Sequence, residues 1–126
     1  MTVIWDERQP SLAHKVDRLI FGVKKAHMFT ETVIAEHIEV NLRSGETLDS
    51  VALERLARFY LDVLPTHTRG HLMQLLLVHK DTPMVVLTMA CRSDCHWYRE
   101  SALQNPNCAE EDRVYAWLRE NAEATA

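Results

Sequence analysis

Between Ser11 and Arg43 the chain repeats apolar or weakly polar residues at steps of three and four: Leu12, Val16, Leu19, Val23, Ala26, Thr30 and Val33. Ile20, Ile34 and Ile38 widen the stripe. This is the period of an α-helix with one buried face. Unbroken, such a helix would be roughly 50 Å long at ~1.5 Å per residue, longer than a small domain is wide. Either it breaks near Gly22 or around His27-Met28, or part of it packs against a second copy of the chain. Ser44-Gly45-Glu46-Thr47 ends it, with Gly45 suited to a left-handed cap.

The remaining punctuation is sparse, with three glycines and four prolines in the whole chain, and it falls mostly between periodic segments. Residues 48–64 carry Leu53, Leu56, Phe59, Tyr60 and Val63 as a second helix that stops at Pro65. Residues 66–81 place Leu72, Met73, Leu75, Leu76, Leu77 and Val78 on all sides, the pattern of a central helix buried all round. Thr82-Pro83 reads as an N-cap and first-turn pair, opening a helix that runs to Asn105-Pro106. Because MVVLTMAC also has β propensity, a hairpin around residues 71–91 is the alternative. Asn107 with Glu110 resembles a capping box before a short last helix bearing Val114, Tyr115, Trp117 and Leu118. The fold expected is all-α, a compact bundle of about five helices in one domain spanning 1–126. An arm at 1–10 and a frayed tail at 121–126 flank it; the alternative class is α+β.

Charge narrows the function classes. A formal charge of −4 and a longest basic cluster of only Lys24-Lys25 disfavour nucleic acid. The opening MTVIWDERQP lacks the basic and apolar regions of a secretory signal, and no apolar run reaches the length of a membrane span. A cytoplasmic protein is expected, and its odd, low cysteine count fits reduced thiols.

All three cysteines lie within Cys91-Arg-Ser-Asp-Cys95-His96 and the Cys108 that follows Pro106. Thiolates drawn together suit zinc or iron. On a continuous helix Cys91 and Cys95 would share a face, with Cys108 folding back toward them and His96 pointing about 100° away. The spacing is wider than a structural zinc pair, and free cysteine also serves as a small buried hydrophobe. His67 and His71 form a second candidate ligand pair at H-x-x-x-H spacing, without the glutamate that zinc-protease chemistry requires. His27 with Glu31 and His96 with Glu100 repeat that spacing as histidine–carboxylate pairs, read here as surface or hydrogen-bonded pairs. No glycine-rich phosphate loop and no nucleophile elbow occurs.

Trp97, Tyr98 and Arg99, with Trp5 in the polar arm, are the residue types that anchor interfaces. A small bundle also needs large side chains inside, which draws Trp97 and Trp117 toward the core. The expectation is a non-enzymatic interaction protein (adaptor, accessory factor, inhibitor or regulator), with a protein partner or a homodimer. The alternative is a metal- or redox-responsive protein using Cys91, Cys95, Cys108, His67 and His71.

Overall fold

The computed structural model describes residues 11–25, 28–63 and 70–125. The N-terminal arm with Trp5, together with His27, Pro65 and His67, lies outside them. The long first stripe is two helices, α1 (Leu12–Lys24) and α2 (Met28–Arg43). Lys15 near the start of α1 donates from Nζ to Asn41 Oδ1 near the end of α2 at 2.6 Å, so the pair folds back as an antiparallel hairpin. The first helix, α1, ends at Lys24, and the N–H of its C-cap Lys25 still bonds the Phe21 carbonyl. Gly22 stays inside α1 and buried. Folding back solves the length problem, since each arm is roughly 20–25 Å long. Ser11 caps α1 by accepting from the His14 N–H at 3.2 Å.

Gly45 takes φ +77°, the left-handed conformation expected after α2. Asp49 then caps α3 (Ser50–Arg58), its side chain accepting from the Val51 N–H at 3.0 Å. One π-helical turn, Phe59–Val63, continues α3. Next come α4 (Gly70–Val78), α5 (Met84–Cys91), α6 (His96–Leu103) and α7 (Glu110–Thr125). The described residues thus form seven α-helices and no strand, rather than the expected five, and the hairpin around residues 71–91 is replaced by α4 and α5.

Three further expectations are corrected. The helix drawn from residue 83 to 104 breaks after Cys91, because Ser93 and Asp94 spend their side chains on local turn and ion-pair contacts. Thr82 does not cap α5. Its hydroxyl donates back to the Leu76 carbonyl at 2.5 Å, and Pro83 occupies the cap position. Asn107 is not the N-cap of α7: its N–H bonds Asn105 Oδ1 at 2.9 Å and its amide reaches the Lys80 carbonyl at 3.1 Å. The last helix, α7, runs as far as Thr125.

The core is one cluster fed by α1 to α6, with Val16, Leu19, Ile34, Ile38, Leu53 and Leu56 fully enclosed. Each such side chain contributes roughly 1.5–3 kcal/mol by leaving water. The central position expected for α4 holds, since it packs on α2, α3, α5 and α6. It is not buried all round: Leu72, Met73, Leu76 and Leu77 face inward while His71 and Gln74 face out. Among the described residues no helix is long and apolar enough to cross a membrane.

Candidate functional site

The turn that breaks the 84–103 segment positions most of the chemistry-bearing residues. Ser93 Oγ accepts from the Cys95 N–H at 3.1 Å, which turns the chain, and Cys95 in extended conformation starts α6. Arg99, fully buried one turn into α6, points back under this turn. Its Nη1 donates to the Ser93 carbonyl at 2.8 Å and its Nε to Glu120 Oε1 of α7 at 2.7 Å. His96 Nδ1 meets the other oxygen of Glu120 at 2.6 Å, while its Nε2 lies 3.3 Å from Glu100. Burial pushes the Glu120 carboxyl up, but the hydrogen bonds from Arg99 and His96 outweigh it and hold the group below the usual carboxylate range.

The cysteines divide. Cys91, at the end of α5, and Cys108, in the loop before α7, are both buried with their sulfurs 3.5 Å apart. Cys108 does fold back onto Cys91, as the segment past Pro106 allows. Burial, then contact with Cys108, pushes the Cys91 thiol up to about 12, so it stays protonated at neutral pH. Cys95 is half-buried at the head of α6, with Cys91 no longer on the same helix. His71 is exposed and belongs to a different neighbourhood, 3.3 Å from Glu39 and accepting at Nε2 from Arg43 of α2. Among the described residues no group of three or more histidine, cysteine or acidic side chains is placed to hold a metal ion.

Of the expected contact residues, Trp97 is on the surface at 72% exposure, whereas Tyr98 and Arg99 are buried and cannot anchor an external partner by their bulk. Neither Trp97 nor Trp117 is in the core. The reason for Trp117 lies in the orientation of α7. Its inward face carries Asp112, Ala116 and the half-buried Arg119 and Glu120. Asp112 accepts from the Thr88 hydroxyl at 2.5 Å and lies 3.5 Å from Arg92, and Arg119 pairs with Asp94. The outward face presents Val114, Trp117 and Leu118, all more than half exposed. Tyr115 flanks them, with the Arg92 guanidinium stacked 4.5 Å above its ring.

Two clefts open on either side of Cys95 and Tyr98. One, of about 520 Å³, runs between α4 and α6 and is lined by Gln74, Trp97, Glu100, Ser101 and Gln104 besides the shared pair. The other, of about 480 Å³, lies toward α5 and includes Leu61, Met89 and Arg92. Both are within the size range of small-ligand sites. Sequence reasoning missed the first cleft, because Gln74 and Gln104 come from separate helices and carry no motif.

Comparison of the chain with protein-family models, with curated proteins and with solved structures finds no match.

Proposed function

We propose that this chain is a helical interaction protein that works by protein–protein contact, with the outward face of α7 as its docking surface. The observation that carries this reading is the inverted amphipathicity of α7, with Val114, Trp117 and Leu118 turned to solvent and ionic groups turned to the bundle. An apolar stripe of this kind marks a contact surface. The first turn of the same helix is acidic, with Glu110, Glu111 and Asp112, and the whole chain carries −4. The partner that complements it is a basic amphipathic helix, laying apolar residues on the stripe and cations against Glu110 and Glu111. The test titrates an amphipathic Leu/Lys peptide and its Leu/Glu counterpart, read by tryptophan fluorescence and light scattering. Binding of the basic peptide alone, lost in Leu118→Asp and Trp117→Ala, is the expected result. Equal binding by those variants, or self-association of the free protein through the same face, would overturn the basic-partner reading.

A second reading, a redox response, is favoured by the 3.5 Å separation of Cys91 and Cys108. In it the two thiols lose two electrons and two protons to a small-molecule disulfide, which leaves as two thiols. After incubation with oxidised glutathione, peptide mapping without reductant is expected to find Cys91 joined to Cys108. Glutathione on Cys95 with both buried thiols still free would sink this reading.

A further inference from the structure

The α4–α6 cleft holds two buried hydroxyls that the described residues leave unsatisfied. Ser101, 8% exposed, and Tyr98, 6% exposed, both line it, and neither side-chain oxygen has a hydrogen-bond partner among the described residues. A buried hydroxyl without a partner costs about 1–3 kcal/mol, so such groups normally face water or a ligand. The amides of Gln74 and Gln104 stand at the same cleft, and the Glu100 carboxylate, shared with His96 at 3.3 Å, completes the polar lining. The exposed indole of Trp97 supplies a flat apolar wall.

The lining is rich in acceptors. Serine, tyrosine, glutamine and glutamate oxygens all accept hydrogen bonds, and among the described residues no lysine or arginine lines the cleft. An anionic ligand would meet a carboxylate and, among the described residues, no lysine or arginine. A ligand that is planar, positively charged and made of N–H donors would meet the carboxylate, the indole and the acceptor oxygens together: its face stacks on the indole, and its edge donates to the oxygens. We propose that the α4–α6 cleft is a guanidinium-binding site, with Trp97 as the stacking wall, Glu100 as the counter-charge, and Ser101 and Tyr98 as the buried acceptors. This deepens the interaction reading by naming one group of a basic partner, an arginine side chain; a free guanidino compound carries the same chemistry.

The test needs no partner and does not involve α7. Methylguanidinium and the capped tripeptide Gly-Arg-Gly are titrated into the 15N-labelled full chain, with Gly-Lys-Gly as the control, and the Trp97 indole and the amides of α6 are followed by NMR. Saturable shifts are expected for the guanidinium probes, with the lysine peptide about tenfold weaker. Trp97→Ala and Glu100→Gln, both at exposed positions, should each weaken binding about tenfold while leaving the thermal midpoint in place. Tighter binding of the arginine peptide than of methylguanidinium assigns the site to a peptide side chain, and the reverse order assigns it to a free compound. No saturable shift, equal binding of the lysine peptide, or indifference to both substitutions would overturn the proposal. Loss of the α7 stripe by Leu118→Asp should leave these shifts unchanged, so the two readings fail separately.

Discussion

Arg99 does more to define this structure than any exposed charge. It is a fully enclosed guanidinium whose partners come from the turn before α6 and from α7. Removing one member of a buried ion pair strands the other, at a cost typically of 3–5 kcal/mol. Glu120 keeps one-quarter of its side chain exposed and retains His96, which reduces that cost. Arg99→Met, close in length but uncharged, is therefore expected to lower unfolding free energy by about 2–3 kcal/mol, measured by urea denaturation. A change below about 0.5 kcal/mol, the ordinary scatter for surface substitutions, would show that the pair contributes nothing net. Nothing in Trp97-Tyr98-Arg99 as a string distinguishes the exposed member from the buried two. Their separation follows from the turn at 92–95, which sets the rotation of α6 and depends on Glu120 more than twenty residues away.

Helix content was legible in the sequence because it rests on local periodicity, and the stripe on α1 and α2 predicts the inward residues Leu12, Val16, Leu19, Ile34 and Ile38. The length argument asked for a break near Gly22, a break around His27-Met28 or a second copy, and α1 ends at Lys24 with Gly22 inside it; Gly45 marked its own turn. The interruption at 92–95 was harder to see, since it relies on Ser93 Oγ bonding two residues ahead and on Asp94 meeting Arg119 of a distant helix. The α7 helix shows the same limit more sharply. Of its apolar residues Trp117 is expected in the core, yet the bundle claims the opposite face through Asp112, Ala116, Arg119 and Glu120. Periodicity reports that a helix has two faces; which one turns inward was decided by the partners Thr88, Arg92, Asp94 and Arg99 on other elements. The cleft was illegible for a related reason: unsatisfied hydroxyls can be recognised only after every other hydrogen bond has been placed.

At the scale of the molecule this division produces two grades of attachment. Helices α1 to α6 share an apolar core, whereas among the described residues α7 adds only Ala116 to that core and is tied to the bundle by charge and hydrogen bonds. Hydrophobic contacts are indifferent to pH, and the ties of α7 are not. The carboxyls of Glu120, under Arg99 and His96, and of Asp94, hydrogen-bonded by Arg119, both lie below their ordinary values in the folded chain. The unfolded or detached segment therefore binds more protons than the folded one in acid, and the stability these groups contribute is complete above roughly pH 4–5 and lost as pH falls through their depressed values. His79, at the end of α4, acts in a higher window. Burial lowers its pKa, against the pull of Asp81, so the folded state loses stability as pH drops below the ordinary histidine range. Its Nδ1 accepts from the Asp81 N–H at 3.0 Å, a bond that protonation abolishes. Acidification is thus expected to loosen the α4–α5 turn first, and then, below about pH 4, to release α7 while the central helices persist. Hydrogen exchange by NMR along a pH series checks this. Amides of Val114 to Glu120 should lose protection before those of Leu72 to Leu77, and salt should reproduce part of the effect at neutral pH by screening the exposed Arg119–Asp94 pair. Simultaneous loss of protection in both helices would mean that α7 is as deeply committed to the bundle as α4.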